Sequence, residues 1–448
     1  MTATTATGAS RLVLRNARLP DALAGKPTSG AVPRVDITIA GGLVTAIEPS
    51  PKDGADGLNE AGAEIHDMRD GLVLPAFVDI HTHLDKGHIW PRKPNPDGTW
   101  MNALLSVAED RERHWSASDV ERRMEFSLAA AYAHGTAAIR THLDSAPPQH
   151  GITWDVFEKV RERWADRIEL QGVSLLGPDH LLDKAIVTEV ARRTKAGKGV
   201  MGGAIADHPE TRQAMRNVVE AAGEAGLDLD IHCDETGSPD ASALYWLADA
   251  VIELGYTGRV AAGHCCALAV QDETTFNKTV ERVAKAGVAV ISLPMCNMYL
   301  QDRGESGGRK TPRWRGVAPL RELAEAGVPV AIASDNTRDP FYAYGDLDGI
   351  EVLREGARIL HFDHPADEAW AWTQSMGAWP ARFAGMATRA EVVVGAPADL
   401  VLLSARSWSE MMARPQSDRK IMRAGRIIDA KLPDYRDLDD LMGDTSWT

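Results

Sequence analysis

His81 and His83 stand two residues apart in the segment Val78-Asp-Ile-His-Thr-His-Leu84. Alternate side chains of an extended strand share a face, so both imidazoles project the same way, an arrangement suited to a divalent transition metal. Further polar residues fall where other strands are expected to end: His232 and Glu235 in Ile231-His-Cys-Asp-Glu235, His264 after Gly263, and Asp335 in Ser334-Asp-Asn336. Three imidazoles, His81, His83 and His232, with the carboxylate of Asp335 suit one Zn²⁺ or Fe²⁺ with room left for water, and that ligand set serves either metal. Water held there becomes acidic enough to supply hydroxide near neutral pH. Glu235 can take the water's proton and pass it to a substrate, and His264 can polarise a carbonyl or hold the attacking oxygen. Taken singly, His232 and His264 read equally as packed rim histidines; their coincidence with the other strand-end ligands argues for chemistry.

Positioning these residues requires strands whose C-terminal ends converge. Eight segments read as strands: 72–80, 137–142, 168–175, 200–206, 227–233, 259–264, 288–293 and 328–334. From the third onward they recur at roughly thirty-residue intervals, the length of one βα unit. Between them Ala214, Val218, Val219 and Ala222, and then Phe276, Val280, Val283 and Ala284, give apolar faces at helical spacing, with Gly226 and Gly287 as stops. The fold class is α/β, a (β/α)8 TIM barrel, whose active site gathers at the C-terminal strand ends. A doubly wound sheet is the alternative, but no GxGxxG loop follows the first strand. Short strands before residue 70 and again after residue 390 predict one small β domain built from both flanks. The division is therefore 1–70 and 390–448 around a barrel at 71–389.

Length and charge bound the rest. At 448 residues the chain exceeds one ordinary core, and a net charge of −15 disfavours nucleic acid and acidic membranes as partners. The first residues carry no basic and apolar leader, and no apolar run is long enough to span a membrane, so a cytoplasmic location is expected. Cys233, Cys265, Cys266 and Cys296 include no CxxC pair and read as reduced packing residues. Barrels of this size often assemble, so a homo-oligomer is admissible, with no residue pattern setting its number.

The segments Pro75-Ala-Phe-Val-Asp-Ile-His-Thr-His-Leu-Asp85, Ile139-Arg-Thr-His-Leu-Asp144, His232-Cys-Asp-Glu235, Gly263-His264 and Ser334-Asp335 through Tyr342 resemble the amidohydrolase superfamily and, within it, the cytosine deaminase branch. The resemblance implies a mononuclear metal-dependent aminohydrolase with a β-sandwich made from both termini beside the barrel. It also implies His81, His83, His232 and Asp335 as ligands, Glu235 as proton shuttle and His264 as support for the hydrated substrate. Strand four, Val200 to Asp207, has no lysine to bridge two metals, which argues against cyclic-amide hydrolases.

The expected reaction is hydrolytic deamination of cytosine or a related amino-pyrimidine, releasing ammonia. The alternatives are an s-triazine, pterin or purine-like ring and, more remotely, a catalytically silent binding protein. Two departures bear on substrate. Gly177 stands where a substrate-reading glutamine is expected, and Asn336 follows the aspartate ligand where a second aspartate is expected. The loop after strand one carries Lys86, Trp90, Arg92, Lys93 and Trp100, which suit a planar heterocycle; an ordinary rim loop with Trp90 and Trp100 packed beneath it is the other reading. The glycine-rich segment Gln301–Trp314, with Arg309, reads as a lid or as passive surface. Arg140 and His142 read as structural support at the barrel rim.

Overall fold

The computed structural model describes residues 11–26, 30–51, 62–303 and 310–443. The first strands are β1 (Arg11–Arg18), β2 (Arg34–Ala40), β3 (Leu43–Pro49) and β4 (Ala63–Asp67), ordered β3-β2-β1-β4 in one sheet. Then come β5 (Val73–Pro75) and β6 (Phe77–Thr82), where one continuous strand over 72–80 was expected. The chain changes sheets between them. Pro75 has no N–H to extend a ladder, and Ala76 donates instead to the Asp399 carbonyl, 2.9 Å away.

Seven further parallel strands follow: β7 (Thr136–Asp144), β8 (Glu169–Leu175), β9 (Met201–Ile205), β10 (Leu229–Cys233), β11 (Val260–His264), β12 (Ala289–Ser292) and β13 (Val330–Ile332). With β6 they match the eight predicted segments. All nine residues of β7 are buried, as expected of a parallel strand covered on both faces. The strands lie in two α/β sheets, β6-β7-β8 and β13-β12-β11-β10-β9. Isolated parallel bridges connect the sheets at both edges, Val173 with Val200 and Thr82 with Asp335. At the second junction the Asp335 N–H donates to the His81 carbonyl at 2.8 Å, and the Ser334 hydroxyl donates to buried Asp79.

Helices alternate with these strands. In Thr211–Ala225 the residues Ala214, Val218, Val219 and Ala222 are buried, and the helix stops at Gly226, whose φ of 65° favours a residue without Cβ. Helix Glu273–Ala286 ends likewise at Gly287, φ 68°. After helix Ala378–Ala384 come β14 (Leu400–Leu402), β15 (Lys420–Arg423) and β16 (Arg426–Ile428), which join β5 in the order β16-β15-β14-β5. The flanks therefore meet in space, and Ala398 N–H to Gly42 carbonyl, 2.8 Å, is one of the bonds between them.

Among the described residues no helix is long and apolar enough to cross a membrane. The first eight residues and, within Gln301–Trp314, residues 304–309 including Arg309 lie outside the described residues.

Candidate active site

β6 delivers His81 and His83, β10 delivers His232, β11 ends at His264, and the turn after β13 supplies Asp335. His264 and Asp335 hold left-handed backbone, φ 68° and 65°, a strain that surrounding structure sustains where side chains must be aimed precisely inward. Close approach also matters at Gly263: a Cβ there would lie 2.5 Å from Cε1 of His81, so the ring occupies space only glycine leaves.

The four candidate ligands converge. Nε2 of His232 lies 3.1 Å from Nε2 of His81 and 3.1 Å from Nε2 of His83, while Nε2 of His83 lies 3.2 Å from Oδ1 of Asp335. Tetrahedral ligands bound at zinc distances stand about 3.3 Å apart; His81, His83 and Asp335 form one group that could hold an ion, with His81 and Asp335 3.8 Å apart, and His232 adjoins its two imidazoles. The hydrogen-bond inventory fits as well. Both Asp335 oxygens are buried without a full hydrogen-bond partner, the weakly donating Cys296 thiol lying beside them. A carboxylate buried with both oxygens unpaired is costly unless a cation meets it.

Charge states agree with that fit. Burial, then the neighbouring His142, holds His81 well below the ordinary imidazole range; burial and Lys86 do so for His83, and burial and His81 for His232. Neutral imidazoles are what a metal requires. Burial pushes Asp335 up to about 7.

Glu235 sits beside this cluster, pushed up to about 8 by burial and by the Asp335 charge. Its Oε2 accepts the indole N–H of Trp100 at 2.6 Å, and Oε1 lies 3.3 Å from Nδ1 of His264. Burial holds His264 down to about 3, hence neutral. A general acid–base group needs a pKa near the working pH and a partner within hydrogen-bond reach, and Glu235 has both.

The cavity in front of these groups measures about 230 Å³, below the roughly 300–1,000 Å³ of drug-sized pockets, and so suits one compact ring system. Gly177 and Asn336 line it together with His83, His232, Glu235 and His264. At Gly177 an added Cβ would meet only Nδ1 of His180, at 3.9 Å, so the glycine keeps space open rather than serving packing. The Asn336 amide is engaged inside the protein: Nδ2 donates to Asp339 at 2.9 Å, and Oδ1 accepts from the Cys296 thiol at 3.2 Å. Trp90 is half-buried with its backbone on Arg338 and is absent from the lining, which Trp100 joins instead.

The sequence marked Lys86 as part of a loop suited to a planar heterocycle and Arg140 and His142 as rim support, and gave no sign of Asn297. Lys86 is buried with Nζ 4.5 Å from the Phe341 ring centroid and lines the cavity. Asn297 touches both Glu235 and His264. Nε2 of His142 lies 3.2 Å from Nδ1 of His81, and His81, His142 and His232 form a group that could hold an ion, beside the group of His81, His83 and Asp335. Arg140 points into the strand layer and pairs with Asp230 at 2.8 Å. A polar residue at a strand end was the only sequence signal available for any of them, and it marks Lys86 and His142 at best.

Residues 127–428 match the family model described as Amidohydrolase family. The chain is 51% identical over 438 residues to a pterin deaminase of Rhizobium rhizogenes, covering 97% of this chain and 98% of that protein. It is 24% identical to the N-isopropylammelide isopropyl amidohydrolase of a Pseudomonas species, across 81% of this chain and 87% of that one. The crystal structure of 5-methylcytosine deaminase from Klebsiella pneumoniae liganded with 5-fluorocytosine shares the fold, with a TM-score of 0.77 at 23% identity over 95% of this chain and 98% of that one. Such neighbours imply a TIM barrel with a small domain beside it. A match across two thirds of the sequence, joined to a half-identical relative of nearly equal length, places the chain in the amidohydrolase family, as a hydrolase acting on C–N bonds.

Proposed function

We propose that this chain is a metal-dependent aminohydrolase that replaces the amino group of a pterin-class fused ring with oxygen, consuming water and releasing ammonia. The observation that carries the ring choice is the 51% identity to a pterin deaminase along almost the whole chain. It favours the fused-ring alternative over a cytosine-sized ring. The open space at Gly177 supports it, since a side chain there would narrow the cavity.

In this reading His81, His83, His232 and Asp335 hold one Zn²⁺ or Fe²⁺. When bound, the cation supplies Lewis acidity that makes water reactive near neutral pH. Glu235 takes the proton of the attacking water and delivers it to the ring nitrogen or the departing amine. His264 faces the oxygen that adds to the carbon. The two parallel sheets are read as one closed (β/α)8 barrel, supported by the bridges at Val173–Val200 and Thr82–Asp335. Residues 71–389 are assigned to that barrel, and 1–70 with 390–448 to the small β-sandwich domain, to which β5 lends its strand.

Ammonia release from pterins, cytosine and amino-s-triazines, with Zn²⁺ or Fe²⁺ supplied, tests the reading. Turnover is expected to be fastest on pterins, and Glu235→Gln is expected to lower kcat by about 10²- to 10⁴-fold. Absence of ammonia from every pterin, or unaltered turnover in Glu235→Gln, would overturn it; alkylamine release would instead indicate a substituted triazine.

A further inference from the structure

Glu235 and His264 are held by two residues from distant elements. Trp100 opens helix Trp100–His114 and donates its indole N–H to Oε2 of Glu235 at 2.6 Å. Asn297 lies in helix Pro294–Leu300, fully buried, with Nδ2 3.4 Å from Oε1 of Glu235 and 2.8 Å from Nδ1 of His264. Neither contact belongs to the ligand cluster.

An amide nitrogen only donates, so the 2.8 Å contact makes Nδ1 of His264 an acceptor. A neutral imidazole carries one proton, which then resides on Nε2. That nitrogen is buried and has no hydrogen-bond partner in the protein, and His264 lines the cavity. An N–H therefore faces the space where substrate oxygen develops charge. In the ionised state from which Glu235 takes a proton, the opposite amide orientation would set the carbonyl oxygen of Asn297 against Oε1 of Glu235, acceptor against acceptor. Glu235 is constrained in a parallel way: the short indole bond occupies Oε2, while Oε1 meets only longer contacts, 3.4 Å from Nδ2 of Asn297 and 3.3 Å from Nδ1 of His264, and a proton on Oε1 can face that unprotonated nitrogen.

We infer that Trp100 and Asn297 are positioning residues of the reaction, Trp100 fixing Oε2 so that Oε1 of Glu235 carries the proton, and Asn297 fixing His264 as the tautomer protonated on Nε2. This rests on the proposed role of Glu235 as the shuttle. It adds a reason why two residues outside the set of four metal ligands affect the chemical step: a correctly placed imidazole in the wrong tautomer cannot donate.

The experiment uses the metal-loaded full chain with ¹⁵N-labelled histidine, the His264 signals being identified by their loss in His264→Asn. The wild-type spectrum is expected to show an unprotonated Nδ1 and a protonated Nε2 at His264. In Asn297→Asp, an acceptor replaces the donor, and the proton is expected on Nδ1, with kcat down by about 10²-fold or more, KM within about threefold and metal content unchanged. Trp100→Phe is expected to lose about tenfold in kcat. Its acid limb of kcat/KM is expected to move to higher pH, because the lost bond favoured the carboxylate.

A protonated Nδ1 in the wild type overturns the inference even if Asn297→Asp does not fold. So does full activity in Asn297→Asp and Trp100→Phe while Glu235→Gln is inactive. Full activity of Glu235→Gln would instead remove the shuttle assignment on which the inference stands.

Discussion

Two buried polar clusters flank the segment that leaves β6, and they are built on opposite rules. The first joins Arg92, Asp110, Asp119 and Arg123. Each guanidinium nitrogen donates and each carboxylate oxygen accepts: Arg92 grips Asp110 with two bonds of 2.8 Å, and Arg123 donates to Asp119 at 2.7 and 2.9 Å and to the carbonyls of Asp85 and Gly87. Asp119 also accepts from Arg92 on both oxygens, and Trp115 adds a 2.8 Å bond to Asp110. The second cluster is His81, His83, His232 and Asp335, where both carboxylate oxygens have no full hydrogen-bond partner. A buried group left unpaired costs about 1–3 kcal/mol, so satisfaction marks the first cluster as framework and its absence marks the second as a place for a bound ion. The framework touches the site through Arg123, which holds the carbonyls on either side of Lys86.

The contrast is broken or sharpened most strongly at Asp335. Asp335→Asn is expected to weaken metal binding by more than about 100-fold, beyond the range for outer partners of a metal site, as titration would show. In metal-free protein the same substitution should stabilise above neutral pH. Burial raises the folded pKa of Asp335 from 3.8 to about 7, so its contribution is fully present below the unfolded value and lost as pH rises through about 7. Denaturation in chelator should therefore find Asp335→Asn more stable than wild type at pH 8, with the gap closing toward pH 4; a deficit at pH 8 would mean the carboxylate is satisfied after all.

Arg123→Met should behave oppositely. It leaves Asp119 with part of its partners removed and is expected to cost about 3–5 kcal/mol in denaturant unfolding, with metal per folded molecule retained. If metal were lost without a loss of stability, the two clusters would have to be regarded as one. Gly263→Ala comes next, because its Cβ would meet the His81 ring at 2.5 Å; metal affinity should fall about 10- to 100-fold with little change in fold. The smallest effect is expected at Gly177. Gly177→Gln should change the ratio of kcat/KM for a fused ring over a single ring by about tenfold toward the single ring, measured by ammonia release from both.

Much of the site was legible because its signals are local or simply periodic. His81 and His83 share a face through a spacing of two, and the strand and helix intervals located β10, β11 and β13 well enough to set His232, His264 and Asp335 at converging ends. What escaped reading depends on contacts between remote segments. Trp100 meets Glu235 across 135 positions and Asn297 meets it across 62. Trp90 and Trp100 look alike in one loop, yet only Trp100 lines the cavity. The break between β5 and β6 was hidden because a run of buried apolar residues reads the same whether one sheet or two receives it.

The sequence by itself determined the α/β alternation, the types of the candidate ligands and the chemistry they suit, since these follow from residue identity and short-range geometry. Only the tertiary structure decided which tryptophan meets Glu235, that Asn297 lies against His264, that Gly263 makes room for His81, and that Asn336 is already engaged by Asp339 and Cys296. Those are decided by donor–acceptor distances and by atoms competing for one volume, quantities that exist only once distant stretches of chain are packed together.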